Sequence, residues 1–378
     1  MRVYLDNNAT TAVHPAVLAA VQEALGGVYG NASSIHKEGQ TARRKIENAR
    51  EQVAQLIGAT AREIVFTSGG TESNNAAIFG AVPRSGRHHI VTTAIEHPSV
   101  AESVQELERR GHSVTVVAPA RTGRLAAQQI VDALRPDTRL VAVMLANNET
   151  GVIQPVEEIA SVCRGRGIHM HCDGVQAAGK IDVNVETLGV DTLAMSAHKL
   201  HAPKGIGALY VRKDLKLDTF IFGGAQERRR RAGTENVPLA IAFGVAAEIA
   251  RERPDIGELR DHFEQHLGDM PITINGATVP RLPNTSSITF HGADAEGIVI
   301  GLDLNGIAAS TGSACSSGRV EPSKILIAMG LSPDDARSTV RFSLSRFTTS
   351  EEIERAVEVV REIVPRTTRS TLFSGPNA

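Results

Sequence analysis

Apolar residues follow two patterns along the chain. Near the start they recur every three to four positions, so Val17, Leu18, Val21 and Leu25 predict a helix over Pro15–Leu25, opened by proline and stopped by Gly26-Gly27. Ile46, Val53, Leu56 and Ile57 predict a second over Glu38–Ile57, with Gly58 as its C-terminal signal. Beyond it, short apolar runs alternate with helical stretches. Ile64–Thr67, Ile90–Thr93, Val114–Val117, Leu140–Leu145, Ile168–Cys172 and Thr192–Met195 suit buried strands, while Val100–Arg110, Ala126–Leu134 and Val156–Arg164 suit helices between them. Strand and helix in this alternation predict an α/β unit on a largely parallel sheet. The order changes after the helical stretch Pro238–Arg251 and the Pro-containing Glu252–Asp255. A strand near Ser286–Phe290, a helix near Ala295–Leu302, a strand near Thr339–Leu344 and a last helix over Glu351–Val364 predict a smaller α+β unit. The expected division is a large α/β domain over 16–254 and a small α+β domain from 1–15 and 255–378, its tail Ser370–Ala378 frayed.

Composition narrows the function classes. The 378 residues carry 40 Lys and Arg against 42 Asp and Glu, a net charge of −2, so no overall field draws the chain to nucleic acid or anionic lipid. No apolar run approaches the roughly 18 residues that span a bilayer. The opening MRVYLDNNAT lacks the basic and apolar stretches of a secretory signal. Three cysteines, Cys163, Cys172 and Cys315, cannot frame a disulfide scaffold, and a reducing cytoplasm is the expected compartment.

Ligands of an open α/β sheet sit beyond the carboxyl ends of its strands, and the unusual residues of this chain fall there. Ser68-Gly69-Gly70-Thr71-Glu72 after the first run is a Gly-rich turn entering a helix, suited to a phosphate through free N–H groups and a hydroxyl, or simply a capped loop. Asn147-Asn148-Glu149-Thr150-Gly151 follows another run as a polar turn. Asp173 then Gln176 follow Ile168–Cys172, where an Asp suits a pyridinium nitrogen. Alternation also places His169, His171 and Asp173 on one strand face, which keeps a metal site open. Ser196-Ala197-His198-Lys199 ends the next run, and a lysine partly desolvated there is a Schiff-base candidate, with Lys180 and Lys204 as rivals. Together these supply an amine, an acidic ring partner and an anion cradle, the protein parts that pyridoxal 5′-phosphate needs. Aromatic residues make up only 3% of the chain, so His97 in Glu96-His97-Pro98-Ser99 is the natural residue to stack on the ring.

With these residues in place the chain resembles class I cysteine desulfurases, the NifS- and IscS-like enzymes of the class-V, fold-type I pyridoxal-phosphate superfamily. The resemblance runs through Tyr4–Thr11, Asn31–His36, Thr67–Asn75, Asn147–Gly151, Asp173–Lys180, Ser196–Tyr210, Gly223–Asn236, Gly312–Gly318 and Val340–Thr349, nearly the whole chain in the family's order. It implies that Lys199 carries the cofactor, that His97 stacks on the ring and moves protons, and that Asp173 pairs with the ring nitrogen. Gln176 contacts the ring hydroxyl with Asn148 beside it, and Gly70, Thr71, Ser196 and His198 hold the phosphate. Thr234 reaches that phosphate from the other subunit, which implies a homodimer. Arg341, with Asn148, clamps the substrate carboxylate, a task suited to a planar fork of donors.

The implied reaction removes sulfur from L-cysteine, leaving L-alanine and a persulfide on Cys315, for transfer to an acceptor protein such as an iron–sulfur scaffold or a sulfur carrier serving tRNA thiolation. Other reactions of the same fold are selenocysteine lysis and transamination, and a non-catalytic scaffold subunit is a third alternative. Cys315 lies among small residues in Ser310–Gly318 and is expected on a mobile, exposed loop, whereas Cys163 and Cys172 sit in apolar patterns and read as core. No intrinsic metal is implied, although the resemblance permits Cys315 to ligate a nascent iron–sulfur cluster transiently; neither membrane nor nucleic-acid binding is expected. Two positions depart from the family. Arg229 stands where it usually has Gly, inside Arg228-Arg229-Arg230-Arg231, and Gly174 where it usually has Ala. The arginine run reads as a salt-bridged or solvated stretch, or as a docking edge for an acidic acceptor protein or a nucleic acid.

Overall fold

A computed structural model describes residues 1–311 and 321–367. After a short β1 (Val3–Tyr4), seven strands form the main sheet: β2 (Ile64–Thr67), β3 (His89–Thr93), β4 (Ser113–Val117), β5 (Thr138–Met144), β6 (His169–Asp173), β7 (Thr192–Ser196) and β8 (Gly207–Val211), in the order β2-β8-β7-β6-β5-β3-β4. The predicted strands all occur, within two residues of their expected ends. Strands β6 and β7 are buried at every position and β5 at all but one, as sheets with helices on both faces require. The unpredicted β8 pairs antiparallel with β2 and β7, so β2 still points the same way as β3 to β7.

A second set of strands lies outside the main sheet. Strands β9 (Ile272–Ile274), β10 (Thr285–Phe290) and β12 (Thr339–Ser343) form an antiparallel sheet, and β1 pairs in parallel with β11 (Ile307–Ala308). Val3 and Leu5 share a buried cluster with Phe263, Phe290, Phe342 and Val360, so residues from the two ends of the described chain close one core. The helix Gly257–Gln265 and strand β9 are additions to the sequence reading; the expected frayed tail Ser370–Ala378 lies outside the described residues. Among the described residues, no helix is long and apolar enough to cross a membrane.

Of the two departures from the family, Gly174 has a local cause and Arg229 has none in the structure. A Cβ on Gly174 would come within 2.8 Å of Leu193 Cδ2, so the bulk of Leu193 on β7 takes the space an alanine would fill. After β8, Glu227, Arg228 and Arg229 have φ of 44°, 56° and 65°, three successive side-chain-bearing residues in the left-handed region. Arg228 donates to Glu47 at 2.9 Å, Arg230 to the Arg62 carbonyl at 3.1 Å and Arg231 to both oxygens of Glu72 at 2.8 and 3.1 Å, so most of the arginine run is spent inside the chain. The salt-bridged reading fits this region better than a docking edge. Left-handed backbone costs an ordinary residue about 1–2 kcal/mol, and a glycine gives back part of that through its more disordered unfolded state. Arg229→Gly is therefore expected to stabilise the protein by about 0.5–1 kcal/mol, seen as a higher urea midpoint; a lower midpoint would mean the Arg229 side chain contributes more than its backbone costs.

Candidate active site

Because β2, β3, β5, β6 and β7 run the same way, their carboxyl ends share one edge of the sheet, where a cavity of about 400 Å³ is lined from the loops that follow them. The helix Gly70–Ala81 begins directly after β2. A Cβ on Gly70 would meet Val175 Cγ2 at 2.8 Å, so glycine alone lets the helix start this close to the turn after β6. The first turn of that helix has N–H groups without helical acceptors, and Thr71, Ser196 and His198 line the same end of the cavity. Burial, reinforced by the charges of Lys199 and Lys204, pulls the His198 imidazole down to about 4. His198 is a neutral donor or acceptor there, with Nδ1 3.2 Å from Thr10 Oγ1. The set is an anion cradle.

Asp173 ends β6 and is 6% exposed. Its Oδ2 accepts from Asn74 Nδ2 at 2.8 Å and its Oδ1 from the Val175 N–H at 3.0 Å, both neutral donors. A buried carboxylate so placed suits a cationic ring nitrogen. His97 caps the helix Pro98–Arg109, its Nδ1 accepting from the Ser99 N–H at 3.1 Å and lying 2.8 Å from Ser99 Oγ. Burial lowers its pKa, partly countered by Asp173 and reinforced by Lys199. With Nδ1 as acceptor, the neutral ring carries its proton on Nε2.

Lys199 lies in the short turn Ala197–Lys199 after β7, and Nζ donates to the carbonyls of Asn8 and, at 2.7 Å, Ala9. Burial first and the charge of Arg341 second bring its amine down to about 8, against the opposing pull of Asp6 and Asp173. Gln176 Nε2 donates to the Asn8 carbonyl at 2.9 Å, and its Oε1 accepts from Lys180 Nζ at 2.7 Å. Arg341 on β12 reaches the cavity from the second set of strands, with Nη1 on the Asn148 carbonyl at 3.0 Å and Nη2 on Asp6 Oδ1 at 2.7 Å. Arg341 Nε and Asn148 Oδ1 are buried polar atoms without a partner among the described residues. Such orphans are costly unless a ligand completes them.

The structure thus brings Gly70, Thr71, His97, Asn148, Asp173, Gln176, Ser196, His198, Lys199 and Arg341 to one cavity. Thr234 is exposed and does not line it. Cys315 and its expected loop lie outside the described residues; Ser310, just before that segment, is part of the cavity wall. Cys163 and Cys172 are fully buried, and burial pushes the Cys163 thiol up to about 12 and that of Cys172 up as well. Of the rival lysines, Lys204 is exposed outside the cavity, and Lys180 lies behind its wall with Nζ on Asn8 Oδ1 at 2.9 Å and on Gln176. The metal reading finds its histidines otherwise engaged: His169 Nε2 and His171 Nδ1 meet Thr192 Oγ1 at 2.9 and 3.0 Å, and His171 Nε2 meets Asn74 Oδ1 at 3.0 Å. Sequence reasoning assigned nothing to Asp6, Asn8, Asn74 or Ser99, which position the others; the polar run Asp6-Asn7-Asn8 after an apolar strand was the one visible signal.

The model of the aminotransferase class-V family matches residues 3–356. A cysteine desulfurase of Trichormus azollae is 45% identical over 384 residues, covering 100% of this chain and 96% of that protein. The cysteine desulfurase IscS of Dictyoglomus turgidum is 43% identical, covering 96% and 95%. Among solved structures, a NifS-like protein superposes with a TM-score of 0.89 at 35% identity, over 97% of this chain and 100% of its own. Members of this family use pyridoxal phosphate, and the anion cradle, the buried Asp173 and the Lys199 amine fit that cofactor. The chain belongs to the aminotransferase class-V family and, within it, to the cysteine desulfurases.

Proposed function

We propose that this protein takes the sulfur of L-cysteine onto Cys315 as a persulfide, leaves L-alanine, and hands the sulfur to an acceptor protein. The observation that carries the reading is the convergence of Lys199, Asp173, His97 and Arg341 on one cavity whose wall includes Ser310, five residues before Cys315. Gly70, Thr71, Ser196 and His198 would hold the cofactor phosphate, Asp173 its ring nitrogen, Gln176 its ring oxygen, and His97 the ring face. Thr234, exposed on its own chain, would serve the phosphate held by a second copy in a homodimer. Bound pyridoxal phosphate supplies an electron sink for the charge left when the α-proton departs.

The chain's own groups do the rest. Arg341 and Asn148 orient the substrate carboxylate, and the orphaned Arg341 Nε is satisfied by it. Lys199, neutral above about pH 8, takes the α-proton on Nζ. His97 carries a proton on Nε2 and exchanges it with the substrate thiol. The Cys315 thiolate attacks the substrate sulfur; the new S–S bond forms as the C–S bond breaks, the bonding pair stays with carbon, a proton converts that carbon into the alanine methyl, and Lys199 Nζ returns a proton to the α-carbon. Two of the three thiols are buried and held protonated, which supports Cys315 as the nucleophile. The test is to incubate the holoenzyme with L-cysteine and a reductant and measure sulfide and alanine together. Equal amounts, lost in Cys315→Ser, are expected. Pyruvate with sulfide would mean β-elimination, and sustained sulfide release by Cys315→Ser would remove the nucleophile assignment.

A further inference from the structure

One ion pair in the cavity wall has no part in the reaction as described. Arg341 Nη2 donates to Asp6 Oδ1 at 2.7 Å, the two side chains being 6% and 22% exposed. Nη1 is held by the Asn148 carbonyl, while Nε is buried without a partner. A guanidinium offers a carboxylate two edges, Nε with Nη2 and Nη1 with Nη2. Nη2 gives one N–H to each edge, and Asp6 takes one of them. Asp6 is fixed there by the backbone. Asn7 N–H and Nδ2 donate to the Ser343 carbonyl at 3.2 and 2.8 Å, and Asn8 N–H to Ser343 Oγ at 2.9 Å. Arg341 stands two residues before Ser343 on β12, on the same face of the strand.

We infer that Asp6 is a built-in competitor of the substrate carboxylate. It holds one N–H of Arg341 Nη2, the nitrogen shared by both binding edges, before substrate arrives, yields it on binding, and so sets how tightly the site takes an α-carboxylate. This rests on Arg341 being the carboxylate clamp. A second carboxylate must enter against the charge of the first, at a partly solvated site where such repulsion is worth on the order of tenfold in affinity. If Asp6 merely held Arg341 in place, the isosteric Asp6→Asn, still able to accept from Nη2, would bind carboxylates no better than the parent.

The two roles differ in sign. Titration calorimetry on the holoenzyme compares 3-mercaptopropionate with its neutral amide, neither of which has an amine to react with the cofactor. Asp6→Asn is expected to bind the acid about tenfold more tightly and the amide as the parent does, with a lower KM for L-cysteine. Asp6→Glu keeps the charge and is expected to stay near the parent for both ligands. Unchanged or weaker binding of the acid by Asp6→Asn would overturn the proposal. Arg341→Ala separates the underlying assignment: loss of the preference for acid over amide is expected, and its retention would unseat Arg341 as the clamp whatever Asp6 does.

Discussion

Lys199→Ala is expected to leave a folded protein that holds pyridoxal phosphate only reversibly and desulfurates L-cysteine at least ~10³-fold more slowly, the range lost with a positioned proton-transfer group. The parent should show the visible absorption of a covalently held cofactor, removable by dialysis only in the variant. Turnover within tenfold of the parent would mean another amine does the work, and buried Lys180, bonded to Asn8 and Gln176, is the nearest alternative. The same lysine gives the reaction a pH signature. Its amine is lowered from an ordinary 10.5 to about 8 by burial and by Arg341, so the neutral form needed to capture the cofactor accumulates as pH rises through 8. Cofactor uptake by the apoprotein should therefore climb with a midpoint near pH 8 and level off above it. A rate still rising towards pH 10 would contradict that environment.

A second large effect lies away from the cavity. Arg50 is 2% exposed and grips Glu227 through Nη1 at 2.5 Å and Nη2 at 2.8 Å. Glu227 Oε2 also accepts from the Phe66 N–H at 3.0 Å, and Arg50 Nη1 donates to the Ile64 carbonyl at 3.0 Å with its guanidinium over the Phe66 ring. Every strong donor and acceptor of the pair is used, and it ties the left-handed segment at 227–229 to β2. Glu227→Ala strands a buried guanidinium and is expected to cost about 3–5 kcal/mol, measured by urea unfolding. Replacing both partners, as Arg50→Met with Glu227→Leu, should recover much of that stability while freeing the segment that leads to Thr234. A single variant within about 1 kcal/mol of the parent would mean the pair's desolvation cancels its attraction.

Strands and strand-end motifs were legible because both depend on local composition. Buried parallel strands are apolar throughout, and turns carrying Gly70, Asp173 and Lys199 break those runs abruptly. Strand β8 was not legible: Gly207–Val211 is five residues long, follows the turn-forming Pro203-Lys204-Gly205, and runs against its neighbours. Asn74 and Asn8 escaped for a different reason. On a helix or a loop an asparagine looks solvated, and only the assembled fold shows Asn74 bonded at once to Asp173, Ser99 and His171. Arg229 was visible as an anomaly, but what it costs, a φ of 65°, belongs to the backbone.

The carbonyls of Asn8 and Ala9 that hold Lys199 belong to a segment whose other partners include Thr285, separated from Asn8 by 277 positions, and Ser343. During synthesis this segment leaves the ribosome early and must wait. Neither β11, with which β1 pairs, nor β12, which fixes Asn7 and Asn8, exists until long after the strands of the main sheet have been made. The nascent chain can thus assemble its seven-stranded sheet well before the lysine has its permanent neighbours. Cofactor uptake is therefore expected only once β12 has been made: a nascent chain stalled before β12 emerges would have the residues expected to hold the phosphate without a finished seat for the amine.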